Sequence, residues 1–462
     1  MTTLLDFPLA TQARGRLDDL LDAWTEVLQA DGIVVARGFV HGAEVYAFAT
    51  DATIQGGALG EDSCRAITTA TDLAVLHGLP IVGIWHSGGA RLREGVASLD
   101  GVARVFAAQV RASGRVPQIS LVLGPAAGGA AYGPALTDVI VLGPQGRVFV
   151  TGPDIVRKVT GQEVDMDRLG GAVTHGRSGV VHLSADTDAL AVERTRELVT
   201  LLAQQGHVDL RRSGGPELAA LVPANHRYAY DMRTVIDAVL DQGTFLELQA
   251  KWAPNIVTGL GRLGGRTVGV VANNPMRMAG CLDSSSGDKS ARFVQWCDAM
   301  GVPLLFLVDV PGYLPGVGQE DGGVVRRGAK LLHAYAACQV PRLTVVLRKS
   351  FGGAFIAMGS KGLGADAVLA WPGAQVDVMG AVAAIEVLNR RELAAETDPV
   401  LRAELVLRLA AAHEGSTGGL HRAVECGAVD EIVAPDDTRR RLIELLAALP
   451  VRGRGNHANC PL

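Results

Sequence analysis

An α/β fold made of two copies of one mostly parallel, helix-covered sheet is predicted by three observations. The chain repeats itself at a nearly constant spacing, each copy alternates strand-like apolar runs with helix-length segments, and glycine clusters recur where the strands end. Gly42 and Gly265 stand 223 positions apart, as do Pro80 and Pro303. Val116-Pro117 answers Val340-Pro341, and Gly128-Gly129-Ala130 answers Gly352-Gly353-Ala354, both at a spacing of 224. Four landmarks in register describe a duplication rather than a coincidence of short matches.

In chain order, His41–Ala49 is an apolar, strand-like run. Arg65–Leu76 carries apolar residues at helical spacing, and after a Gly-Xaa-Pro break Ile81–Trp85 is a short continuous apolar run suited to a buried strand. Leu121–Gly124 is the next such run. The connector Gln205–Pro254, with Gly214-Gly215-Pro216, reads as the boundary, giving domains 1–225 and 226–462. The second copy repeats the order: Gly264–Ala272, the helical Lys289–Met300, then the runs Leu304–Val308 and Leu343–Leu347. Ala383–Glu414, rich in Ala, Leu and Arg, predicts helices after the second core. Strands alternating with helices imply a parallel sheet covered on its faces.

Composition narrows the function classes. Across 462 residues the formal charge is −5 with no block of like charges, which disfavours a nucleic-acid surface or a polybasic membrane anchor. Only six of the 43 basic residues are lysine. The six cysteines form no CxxC pair, which argues against a zinc ribbon and a disulfide framework and fits a reducing, cytoplasmic location. Met1–Gly15 lacks the apolar core of a signal peptide, and no apolar run reaches the roughly 18 residues of a membrane span.

The chemistry lies where glycines follow buried strands. Leu121–Gly124 runs into Gly128-Gly129-Ala130, and Leu343–Leu347 runs into Gly352-Gly353-Ala354. Glycine at a helix start lets the backbone approach a ligand, and the unpaired N–H groups of the first turn can face a developing negative charge, as in an oxyanion hole. Either triplet alone is equally compatible with tight packing or a turn of positive φ. Two at matched positions favour a reaction with two enolates. A third cluster, Ser87–Gly95, has Val310–Gly316 as its counterpart, and both read as site loops at strand carboxyl ends. Neither has the spacing of a nucleotide phosphate loop. No GxSxG elbow, HExxH or paired-histidine metal motif occurs. His86 and Ser87 are adjacent on a strand and face opposite ways, so they read as structural. Asp309 and Glu320 read either as acid/base groups or as turn and cap residues.

Ser87-Gly88-Gly89-Ala90-Arg91, Gly124–Tyr132, Val148–Pro153, Asn274-Pro275 with Ala279-Gly280, Asp309–Gly316 through Glu320, and Arg327–Leu332 together resemble the carboxyltransferase β subunit of biotin-dependent acyl-CoA carboxylases. The likeness is nearest the actinobacterial acetyl-/propionyl-CoA carboxylase type and runs from about Arg16 to Leu462. It implies two tandem crotonase-like domains. It also implies transfer of a carboxyl group from N-carboxybiotin, carried on a separate biotin carboxylase/carrier subunit, to the α carbon of a short-chain acyl-CoA. A homo-hexamer is implied, a trimer of dimers, and no metal.

Residue by residue, the resemblance assigns the thioester enolate to Gly128 and Gly129 and the biotin ureido oxygen to Gly353 and Ala354. Gly88, Gly89, Ala90, Arg91, Tyr132 and Ile356 fall to the acyl-CoA, and Pro311, Gly312 and Tyr313 to the biotin-side loop. It also accounts for the missing side-chain base, because a biotin nitrogen can take the α proton while the protein supplies position and N–H donors. Ile356 matches a selectivity position where an acidic residue accompanies propionyl-CoA preference and isoleucine wider or acetyl-CoA use; it reads otherwise as helix core. Cations for the CoA phosphates are sought among Arg91, Arg93 and Lys158, each equally readable as surface charge.

This chain has no biotinyl-lysine motif and no ATP-grasp region, so carboxybiotin must come from a partner. It also lacks the four-cysteine ribbon of the split bacterial subunit, and it carries Cys460 where the family tail has an aliphatic residue. A decarboxylase, an inactive scaffold subunit and a crotonase-type hydratase or isomerase are the alternatives. The hydratase would need carboxylates beside the first glycine turn, and the scaffold would be expected to lose the glycine pairs.

Overall fold

The computed structural model describes residues 11–416, 418–450 and 453–461; Met1–Ala10 and Leu462, part of the terminal readings above, lie outside the described residues. The chain forms two compact units. One takes the chain up to Gln205 with Gln249–Trp252 and the segment from Gly455; the other takes Gly206–Leu248 and Ala253–Arg454. This differs from the expected division at 225/226 for packing reasons. Leu218 and Val222 belong to the core of the second unit. Asn459 joins the first unit, donating from Nδ2 to Asp138 Oδ1 at 2.9 Å and exchanging hydrogen bonds with Ser113.

In the first unit, β1 (Ala23–Ala30), β2 (Ile33–Val40) and β3 (Ala43–Thr50) pair antiparallel. They continue into parallel β4 (Ile81–Ser87), β5 (Gln118–Ala127), β6 (Val139–Leu142) and β8 (Leu183–Ser184), while β7 (Arg147–Phe149) pairs the end of β5. The second unit repeats this topology with β9 (Leu246–Leu248), β10 (Ile256–Leu263), β11 (Arg266–Asn273), β12 (Leu304–Val310), β13 (Arg342–Phe351), β14 (Ala367–Ala370), β15 (Gln375–Asp377) and β16 (Glu431–Ile432). Parallel neighbours need long crossovers. The helices Glu61–His77 and Ser284–Met300 supply the matched ones, both ends of each displaced by 223 positions from the other.

Strands β4 and β12 are apolar runs buried almost throughout, because helices cover both faces. Trp85 fills the first core, edge-on to Phe48, with its Nε1 donating to Ser120 Oγ at 3.0 Å. Val270, Leu305, Leu307, Val345 and Leu369 form the centre of the second core. The segment expected to be helical after that core forms Ala381–Leu388, Arg390–Ala395 and Pro399–Ser416. No helix among the described residues is long and apolar enough to cross a membrane.

Candidate active site

Both parallel ladders open at the same place. Strand β4 pairs with β5 as far as Trp85↔Val122, slips, and resumes at Ser87↔Ala126; β12 pairs with β13 as far as Val308↔Val346 and resumes at Val310↔Ser350. An irregularity of this kind re-aims a strand end, and here it releases the loops that begin at Gly88 and Pro311. Immediately after β5, Gly128 has φ +57; immediately after β13's ladder, Gly352 also has φ +57. A Cβ is strained in that region, so the sharp turn into the helices Gly129–Ala135 and Gly352–Ala357 requires glycine.

The Gly128 N–H is committed: it extends the β5–β7 ladder to Phe149 O at 3.1 Å. Ala131 N closes on Gly128 O at 3.1 Å; Gly129 and Ala130, the first residues of the helix, belong to the turn whose N–H groups have no partner one turn back and are the register counterparts of Gly353 and Ala354. A Cβ on Gly353 would meet nothing nearer than the Tyr313 ring at 3.6 Å, whereas one on Gly129 would lie 3.2 Å from Val102 Cγ1.

The first loop is stitched to the turn before the helix Glu61–His77. Gly88 N donates to Gly56 O (3.0 Å), Leu59 N to Gly89 O (2.8 Å) and Arg91 N to Leu59 O (3.0 Å). Leu282 N to Gly312 O (3.1 Å) and Leu314 N to Leu282 O (2.7 Å) repeat the pattern in the second unit. Tyr313 thus occupies the place of Ala90, and burial raises its phenol pKa. Tyr132 is half exposed, edge-on to Phe106 with ring centres 6.4 Å apart.

Ile356 is exposed rather than core, and it lines an apolar cavity of about 510 Å³ with Gly353, Val378, Gly419, Ala423 and Cys426. The wall contributed by residues 418–428 was not foreseen; Gly418-Gly419 was its one local signal.

A carboxyl transferase domain is matched over residues 10–456. The chain belongs to the carboxyltransferase family. It is 56% identical over 435 residues to the biotin-dependent acetyl-/propionyl-coenzyme A carboxylase beta6 subunit of Mycobacterium tuberculosis, covering 93% of this chain and 92% of that protein. It is 52% identical over 459 residues to the propionyl-CoA carboxylase beta chain of Rhodococcus erythropolis, covering 97% and 96%. Among solved structures it is similar to transcarboxylase 12S, a hexamer crystallised with methylmalonyl-coenzyme A and methylmalonic acid bound. The TM-score is 0.90 at 40% identity, over 97% of this chain and 92% of that one.

In this carboxyltransferase, Ser87, His86 and Asp309 are engaged in structure, while Glu320 is exposed. Ser87 is buried with its Oγ accepting from Gly89 N at 3.3 Å. His86 Nδ1 lies 3.2 Å from Arg16 Nη2, and burial together with the Arg16 charge lowers its pKa. Asp309 accepts from Arg348 Nε at 2.8 Å in a buried ion pair. Arg348 also donates to Tyr228 O at 2.9 Å and lies over the Tyr230 ring, 4.7 Å from its centre.

Arg91 is 7% exposed, and all three guanidinium nitrogens donate within the fold, to Ala58 O (2.9 Å), to Asp31 O (3.1 Å) and to the carboxylates of Asp31 and Glu94. These bonds tie Arg91 into the fold as an internal clamp. Arg93 and Lys158 remain exposed.

Proposed function

We propose that this carboxyltransferase moves a carboxyl group from N-carboxybiotin, held on a separate carrier subunit, to the α carbon of acetyl- or propionyl-CoA. The observation that carries this reading is the pair of register-matched glycine turns, identical in φ, each ending a parallel strand and opening a helix. Gly129 and Ala130 hold the oxygen of the thioester as it gains enolate charge, and Gly353 and Ala354 hold the ureido oxygen. Donors fixed before reaction stabilise developing charge without reorganising, and one such donor is worth about 10² to 10³ in rate.

The second turn fits a small ring. The space before Gly353 is free of backbone, Tyr313 offers an aromatic face, and the neighbouring cavity is apolar. Carboxybiotin supplies the carboxyl group and a ring nitrogen able to accept the α proton. The chain's own part is to align the two reactants and to supply N–H donors, and it needs no side-chain base for this. Gly88, Gly89 and Ala90 border the acyl-CoA side with Tyr132, while Pro311, Gly312 and Tyr313 border the biotin side. Assembly as a hexamer belongs to the same reading, by analogy with the 12S protein. So does a cytoplasmic setting, which suits six free thiols.

The test mixes the chain with a biotin carboxylase and carrier subunit, ATP, labelled bicarbonate and acetyl-, propionyl- and butyryl-CoA. Label in malonyl- or methylmalonyl-CoA is the expected result. Failure with every competent carrier subunit overturns the reading in favour of a decarboxylase or a scaffold.

A further inference from the structure

The turn before the first crossover helix is held in a conformation its sequence resists. Gln55, Gly56 and Gly57 all have positive φ, and in the second unit Met278, Ala279 and Gly280 repeat it. Three successive left-handed residues, with non-glycine side chains among them, persist only where surrounding contacts over-determine them. Both units do this at the same two points by different means.

In the first unit the Ala58 carbonyl is taken by Arg91 Nε at 2.9 Å; in the second its counterpart, Cys281 O, is taken by Asn255 Nδ2 at 2.8 Å. The helix N-terminus at Glu61 is capped from a distance by Glu94 Oε2 at 2.7 Å; the second helix is capped by its own Asp283, which accepts from Ser286 N at 2.9 Å. Gly60 and Gly32 make this exchange possible. A Cβ at Gly60 would collide with the Glu94 carboxylate, and one at Gly32 would sit 3.5 Å from Arg91 Nη2, where Asn255 stands in the second unit.

We infer that Arg91, with Asp31 and Glu94, is a positioning clamp that sets the acyl-CoA side of the reaction. This rests on the reading of the first glycine turn as that side. The clamp fixes the 55–60 turn, the turn holds Gly88 and Gly89 by two backbone hydrogen bonds, and a Cβ on Gly89 would lie 3.0 Å from Ala127 O, next to Gly128. Displacing that loop moves the wall next to Gly128 and Gly129.

Arg91→Ala and the milder Glu94→Gln are compared with wild type in the reconstituted assay, varying acyl-CoA and carboxylated carrier separately. A misplacement of this kind costs about 10²-fold in kcat/KM for acyl-CoA. The carrier's KM is expected to stay constant and Arg91→Lys to recover part of the loss. Folded variants that keep wild-type kcat/KM, or that lose both substrates equally, overturn the clamp's role. Should wild type itself fix no CO2, the functional reading fails and hydrogen exchange decides the clamp. Faster exchange confined to residues 55–60 and 87–91 in Arg91→Ala supports it, and unchanged exchange there overturns it.

Discussion

The two units share a backbone and differ in what fills it, and the difference separates what the repeat needs from what each copy has specialised. At the end of β4 the first unit has His86 facing Gly124, where any Cβ would collide with the imidazole; the second has Asp309 facing Arg348 in a buried ion pair. On the matched crossover helix, Ala66 of the first core answers Lys289, whose burial lowers its ammonium pKa to about 7 and whose Nζ donates to Ile256 O at 2.8 Å. The glycine turns keep the same φ in both. Positions that keep one geometry through so much replacement around them are the ones on which the proposed chemistry rests.

The largest effect is expected where the second unit departs furthest. Arg348→Met leaves the Asp309 carboxylate, 2% exposed, without its counter-charge, which costs about 3 to 5 kcal/mol. Denaturant unfolding of the variant measures it, and adding Asp309→Asn to the same chain should recover most of the loss. A cost below about 1 kcal/mol would show that the pair is replaceable packing, no more specialised than His86 against Gly124.

Next in size is an effect that tests the identity of the turns. Gly353→Val is expected to lower carboxylation by about 10²- to 10³-fold while leaving the thermal midpoint nearly unchanged, because its Cβ meets only the Tyr313 ring at 3.6 Å. Gly129→Val should lose activity too, but with an added stability cost of about 1 to 3 kcal/mol from overpacking against Val102 at 3.2 Å. Full activity in either folded variant would remove that turn from the reaction.

Much of this was legible in the chain itself. The landmarks at 223 and 224 survive as β4 with β12 and β5 with β13, end to end, because strand, helix and turn each carry a local period or breaker. The charged partners were not. Arg91 reads as a free cation beside glycines until the fold brings Asp31, sixty positions away, onto it. Gly128 reads as a donor until the three-residue strand β7 takes its N–H; a strand that short has no period to recognise. Local signals therefore located the turns and missed how each N–H is spent.

The smallest effect concerns the cavity beside the second turn. Ile356 and Val378 form one side, and Ala423 and Cys426 the other. An apolar wall distinguishes acyl chains by contact area alone, and a methylene in such a pocket is worth about 1 to 3 kcal/mol. Ile356→Asp places a carboxylate on an exposed face of the cavity, where it keeps part of its hydration and so need not unfold the helix Gly352–Ala357. The expected outcome is a shift of the turnover ratio toward propionyl-CoA at the expense of acetyl- and butyryl-CoA, by about tenfold or more within that energetic range. Competition between the three acyl-CoAs in one reaction measures the ratio directly. An unchanged ratio would mean that the acyl chain never touches this wall and that the cavity serves the biotin side alone.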